Sequence, residues 1–473
     1  MGLGRAGFAA AQALARAAGG AAVRAWDSAV DPGQLERAEL LRGLGIEVEL
    51  GGDGLEALSG VATVVKSPGI PPEIPLLAGA ERLGIEVIDE LDVGWRLVPA
   101  PTFAVTGTNG KSTVAALCVA VLGAHGLEPV LAGNTDFGSA LSALSLAPPP
   151  RSVVAEVSSY QAEASPALAV DAAIFTNLTP DHLNRHATME KYGEAKRRLF
   201  IGADRVVPLA VLNRDDPFGR ELATDVEAGG GTVLRYGRGP DADYRIDSCR
   251  WGLREGEASL ATPTGPLRLE TRLPGAYNAA NATAVLALAD ALGLPREPTL
   301  AALAAAAPVP GRFEAVDADL PFDVVVDLCY SEDSVAQAIA AARALVAPRR
   351  GRLLTVLGIV GRSAALTGAA VGAIARQRSD RLILSGTSYR GEPRVANLAT
   401  LAAGARASRG CPVEIVIDRR RAIDRALEEA EPGDLVLILG RGPIAREATD
   451  ARGGFRPLDD RQVVREFAER WRS

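Results

Sequence analysis

Seven consecutive residues, Gly107-Thr108-Asn109-Gly110-Lys111-Ser112-Thr113, have the make-up of a phosphate-binding loop. They follow the apolar stretch Phe103-Ala104-Val105 and run into Val114-Ala115-Ala116-Leu117, the strand-turn-helix setting such a loop needs. The glycines let backbone N–H groups turn onto phosphate oxygens, and the helix start adds partial positive charge. Lys111 contributes a point charge, and Ser112 or Thr113 can ligand Mg²⁺. The chemistry is binding of a nucleoside triphosphate. Lysine usage sharpens this reading, because only Lys66, Lys111, Lys191 and Lys196 of the 51 basic residues are lysines. A chain that uses arginine for generic positive charge keeps lysine where ammonium or amine chemistry is needed.

Other candidates lie downstream. Glu156 ends the apolar run Ser152-Val153-Val154-Ala155, where a carboxylate can hold Mg²⁺ beside the loop or can equally be a surface acid. His182 and His186, two of the three histidines, follow the strand Ala173-Ile174-Phe175. We favour His182 as a ligand or phosphate partner over a capped helix start with Asp181 near the N-cap. Lys196 sits on an amphipathic helix, where it is either solvated or a neutral amine near Mg²⁺ that adds CO₂ to become an anionic carbamate.

These groups need a scaffold. The opening Gly2-Leu3-Gly4-Arg5-Ala6-Gly7 is a G-x-G-x-x-G turn leading into a helix from Phe8 to Ala18, and the strand that normally precedes such a turn is expected to be missing. Strands at 23–28, 62–65 and 86–89 follow, Asp27 ending the first of them in the position that contacts a ribose or base. Alternating strands and helices imply parallel sheets with ligands at the carboxyl ends of the strands. The expected architecture is α/β with three domains: Rossmann-like at 1–98, a P-loop ATPase at 99–308 and Rossmann-like again at 309–473.

Composition narrows the class. At 473 residues and 48% apolar content the chain can bury ample core, and a formal charge of −7 without a basic patch argues against nucleic acid. Arg349-Arg350 and Arg419-Arg420-Arg421 read as solvated faces. Four scattered cysteines, no leader and no apolar run of about 20 residues predict a cytoplasmic protein without membrane insertion, expected as a monomer.

Taken jointly, Gly107 to Thr113, Glu156-Val157-Ser158-Ser159-Tyr160-Gln161, Thr176 to His186 and Ala195 to Phe200 resemble the Mur ligases, ATP-dependent amide-forming enzymes of peptidoglycan assembly. Ala132-Gly133-Asn134, Leu212 to Pro217, Gly275 to Asn281 and Pro310 to Glu314 extend the likeness over essentially the whole chain. The resemblance implies that Gly107, Thr108, Asn109, Gly110, Lys111, Ser112 and Thr113 hold ATP phosphates, with Lys111, His182 and Lys196 catalytic. Ser112 and Glu156 would hold one Mg²⁺, and His182 with a carbamylated Lys196 a second. Asn281 would approach the adenine, Arg312 a phosphate or ribose, and Asp327 the ribose. An acyl phosphate formed on a carboxylate would then be attacked by an amine.

The opening half resembles the D-glutamate-adding members. This implies that Leu3, Gly4, Arg5, Ala6 and Gly7 face a UDP pyrophosphate, that Asp27, Ser28, Ser67, Pro68 and Gly69 face the uracil, and that Asn134, Ser158, Gln161 and His182 complete the UDP-sugar site. The C-terminal part resembles the diaminopimelate- or lysine-adding members, but their Asp-Asn-Pro-Arg appears as Thr387-Ser388-Tyr389-Arg390 and their Gly-Lys-Gly-His-Glu as Gly440-Arg441-Gly442-Pro443-Ile444. No acid remains at the matched positions to receive a second ammonium. Arg390 could pair with an acceptor carboxylate or serve as a surface ion-pair partner. The expectation is therefore glutamate addition to UDP-MurNAc-L-Ala, with a third-residue ligase and a non-catalytic nucleotide-binding relative as alternatives.

Overall fold

Residues 1–71, 73–135, 137–359, 364–388, 394–449 and 454–472 are described by the computed structural model. Two compact units emerge: Met1–Leu178 with Glu190–Arg245 and Ala284–Thr299, and Thr179–Met189 with Ile246–Thr283 and Leu300–Ser473.

In the first unit, two parallel strand pairs, Arg24–Asp27 with Glu47–Leu50 and Thr63–Lys66 with Glu86–Asp89, form the opening segment. Residues 1 and 2 lie between them: the Met1 amine donates to Val65 O, Ser67 N to Met1 O and Gly2 N to Trp26 O. The first helix, Arg5–Ala18, starts earlier than its apolar pattern predicts and buries Gly7, Ala9, Ala10, Ala11 and Ala13. Gly7 cannot be larger, since an added Cβ would stand 1.8 Å from Gly2 O.

A parallel sheet follows, ordered Pro129–Gly133, Ser152–Glu156, Thr102–Thr106, Ala172–Phe175, Leu209–Asn213 and Thr232–Gly237. Its central strand Thr102–Thr106 is buried at every residue, as a sheet covered on both faces requires. The helix Lys111–Ala124 leaves that strand through the phosphate loop.

In the second unit, parallel strands run in the order Asp323–Asp327, Leu435–Leu439, Leu353–Leu357, Arg381–Ser385 and Val413–Val416. Alternation along Asp323–Asp327 separates two cores. Val325 packs with Val335, Ile339 and Leu401 on one face, and Val324 and Val326 with Ile423, Leu427 and Phe467 on the other. Helices therefore cover both faces, the doubly wound arrangement expected of this segment.

Arg419 departs from the expectation of a solvated arginine run. It is fully buried, donating to Asp460 Oδ2 at 2.7 Å, Ser385 Oγ at 2.8 Å and Leu439 O at 3.0 Å. Arg349 and Arg350 are exposed as predicted.

Candidate active site

The phosphate loop is shaped by two glycines in backbone regions that L side chains avoid, Gly107 at φ 146° and Gly110 at φ 86°. A Cβ on Gly107 would also stand 1.9 Å from Thr176 Oγ1. The next strand braces the loop. Asn109 N donates to Asn177 Oδ1, Thr108 N to Asn177 O, and Thr176 Oγ1 to Asn109 O at 2.6 Å, while Asn213 Nδ2 holds Thr176 O at 2.7 Å.

Lys111 Nζ lies back across the loop, donating to Gly107 O at 3.0 Å and Thr108 O at 2.7 Å. Lys196 Nζ reaches the same Gly107 O at 2.7 Å, and the residue is 1% exposed, which removes the solvated alternative. Its ammonium stands 4.5 Å from the centre of the Tyr192 ring, whose hydroxyl lies 3.2 Å from Thr108 Oγ1. Tyr192 is a residue that sequence reasoning missed; its only signal was its place one turn before Lys196.

Glu156 is 2% exposed at the end of its strand, so the surface-acid alternative falls as well. It pairs in register with Val105 and Gly133, and Asn134 Nδ2 approaches its Oε1 at 3.5 Å. The first unit thus gathers Lys111, Ser112, Glu156 and Lys196 around one loop. The donor set of ammonium, hydroxyl and carboxylate, with backbone N–H groups on a glycine turn, fits a triphosphate with Mg²⁺, which takes few protein ligands when phosphate oxygens supply the rest.

At the opening turn, Asp27 is nearly buried and accepts from Leu3 N at 2.6 Å, Ala29 N at 2.9 Å and Gln34 Nε2 at 3.1 Å. Ser67 Oγ donates to Gly2 O, while Ser28 is exposed. Leu3, Asp27 and Ser67 are therefore brought together. Ser158 and Gln161 form a capping box on the helix Ser159–Glu163, and Asn134 is exposed.

His182, Asn281, Arg312 and Asp327 belong to the second unit. His182 adopts a left-handed backbone, φ 55°, at the N-cap of the short helix Leu183–His186, and its N–H donates to Asp181 Oδ1. The N-cap is thus His182 itself and not Asp181, the residue named in the capped-helix alternative. His186 is buried. Asp327 ends its strand; burial pushes its carboxyl up to about 6 against the opposing Arg312 guanidinium. Tyr277 meets Phe313 edge-on at 6.1 Å, and Asn281 Nδ2 donates to Asn278 Oδ1. Arg390 lies outside the described residues.

Arg441 is fully buried. It donates to Thr387 Oγ1 at 2.8 Å and to the carbonyls of Ile444, Arg446 and Leu458. The two altered acceptor motifs are thus tied to each other through Thr387 and Arg441.

Comparison with known proteins identifies three domains in sequence. Residues 1–89 match the Mur ligase MurD-like N-terminal domain, 105–289 the Mur ligase middle domain and 311–442 the Mur ligase glutamate ligase domain. The UDP-N-acetylmuramoyl-L-alanyl-D-glutamate–2,6-diaminopimelate ligase of Streptomyces coelicolor is 34% identical over 76% of this chain and 74% of its own length. That of Synechococcus elongatus is 32% identical over 87% of this chain and 88% of its own. A solved structure of such a ligase superposes with TM-score 0.58 at 24% identity, over 88% of this chain and 94% of that one. MurC of Thermotoga maritima gives 0.61 at 20% identity, over 100% and 98%. The three-domain α/β fold follows.

The relatives' names overturn the expectation of glutamate addition to UDP-MurNAc-L-Ala. That expectation read acceptor charge from single loop positions. Arg441 shows why such a reading fails: its guanidinium points inward and holds the scaffold together, so its identity says nothing about the acceptor.

Proposed function

The chain belongs to the Mur ligase family, ATP-dependent ligases of peptidoglycan synthesis, and we propose that it adds a diamino acid of the diaminopimelate type to UDP-N-acetylmuramoyl-L-alanyl-D-glutamate. The observation that carries the reading is the shared name of relatives aligned over most of their length, at 32% and 34% identity.

In this reading three domains, 1–98, 99–308 and 309–473, take the UDP-sugar, ATP and the acceptor in a monomeric enzyme. Bound ATP supplies the phosphoryl group, and two Mg²⁺ ions supply neutralising charge. Lys111 and the amides of residues 107–113 orient the phosphates. Ser112 and Glu156 hold one ion, and His182 with Lys196, as its carbamate, would hold the other. Asn281, Arg312 and Asp327 seat the nucleoside. The turn Leu3 to Gly7, with Asp27, Ser28 and Ser67 to Gly69, takes the uridine diphosphate; Asn134, Ser158, Gln161 and His182 take the muramoyl end. Arg390 clamps the acceptor carboxylate.

A second reading keeps the chemistry and changes the acceptor. It is favoured by the MurD-like match at residues 1–89. Phosphate release from ATP, followed with UDP-MurNAc-L-Ala-D-Glu and single amino acids, separates the readings. Release that requires diaminopimelate supports the first; release with a different amino acid alone supports the second.

A further inference from the structure

Arg5 was expected only to face a pyrophosphate. Its guanidinium instead donates to two carbonyls of a neighbouring loop, Nη2 to Thr135 O at 2.5 Å and Nη1 to Gly138 O at 3.2 Å. The residue is exposed and opens the helix Arg5–Ala18 within the glycine turn. At the far end of that helix Arg16 Nη1 donates to Leu146 O at 2.7 Å, so the helix is fastened at both ends to one segment. The loop that Arg5 holds also carries Asn134, whose N–H donates to Glu156 O at 2.7 Å. It has little slack: Gly133 sits at φ 91°, and a Cβ on Gly138 would stand 2.4 Å from Leu131 O.

We propose that Arg5 is a positioning residue that couples the diphosphate of the sugar-nucleotide donor to the loop presenting Asn134. A guanidinium carries five N–H donors in a fixed fork. With two donated to Thr135 and Gly138, three remain for phosphate oxygens, so one side chain can link ligand and loop. Lysine, with one flexible ammonium, cannot hold that geometry. Binding the diphosphate then fixes the loop before the sugar end arrives, and the contact made by Asn134 depends on Arg5.

The proposal rests on assigning the opening turn to a uridine diphosphate donor, and the test separates the two. Binding of UDP alone and of UDP-MurNAc-L-Ala-D-Glu is measured by calorimetry for the wild type, R5A, R5K, N134A and R5A/N134A. The expected result is that R5A and R5K weaken the sugar-peptide donor at least tenfold more than they weaken UDP. In the N134A background that excess should vanish. Equal weakening of both probes, or effects of R5A and N134A that simply multiply, would overturn the coupling and leave Arg5 as a phosphate contact. A wild type that binds neither probe would reject the donor assignment and the proposal with it. Unchanged thermal unfolding of R5A confirms that the loss is not one of folding.

Discussion

Lys111 and Lys196 converge on a single acceptor, the carbonyl oxygen of Gly107, at 3.0 and 2.7 Å. Two ammonium groups on one carbonyl repel each other in a partly buried place, so the arrangement favours an anion that can lie against both. A triphosphate is such an anion. If one lysine is instead converted to a carbamate, the pair becomes a cation and an anion, and the repulsion is removed.

Lys196→Ala should therefore lose ligase activity by roughly 10²-fold or more, since an anionic metal ligand in a closed site contributes several kcal/mol. Millimolar short carboxylates, which can occupy the vacated position, should restore part of it. Full activity of the alanine variant in steady-state phosphate release would show that Lys196 has no such part.

Gly107→Ala tests the loop itself. The added methyl would meet Thr176 Oγ1 at 1.9 Å and a backbone at φ 146° that alanine does not adopt. ATP binding followed by calorimetry should weaken at least tenfold; unaltered ATP affinity would mean that the loop does not carry the phosphates.

Asp460 faces two fully buried arginines, Arg419 at 2.7 Å and Arg441 at 3.7 Å. Asp460→Ala leaves both guanidinium groups without their carboxylate and should lower stability by about 3–5 kcal/mol. A drop in the urea midpoint is the expected reading, and an unchanged midpoint would refute it.

Glu90 gives a pH signature. Burial pushes its carboxyl up from 4.5 to about 7, against hydrogen bonding from Ser142, whose N–H donates to Glu90 Oε1 at 2.6 Å. Between those values the folded chain holds a proton that the unfolded chain has released. Its contribution is therefore complete below the unfolded value and declines as pH rises through about 7. The decline amounts to about 3 kcal/mol at most. Glu90→Gln, which keeps an acceptor for Ser142, should flatten the fall of stability between pH 5 and roughly 7.5 in denaturation series. Parallel pH profiles of the two proteins would show that Glu90 does not titrate in that window.

What was legible in the chain follows from the range of the interactions. The phosphate loop is contiguous, so its glycines, lysine and hydroxyls announce the backbone shape they impose. Lys196 stood out because lysine is rare, and it is buried where the bland alternative had it solvated. Arg419 was misread because its partner, Asp460, lies 41 residues away and nothing local distinguishes it from its exposed neighbours. The inward place of Arg441 was not legible for the same reason: it depends on Thr387 and on carbonyls contributed by other segments. The left-handed backbone of His182 had no precursor in the sequence either, since nothing local marks a histidine for that conformation.

The identity of the amide formed decides the function. The direct measurement is mass spectrometry of products after incubation with ATP, Mg²⁺, UDP-MurNAc-L-Ala-D-Glu and a panel containing diaminopimelate, lysine and both glutamate enantiomers, with UDP-MurNAc-L-Ala in a parallel set. One new sugar nucleotide is expected, heavier than the dipeptide donor by diaminopimelate less one water, formed together with ADP. Product from UDP-MurNAc-L-Ala and glutamate, with none from the dipeptide donor and any diamino acid, would contradict it.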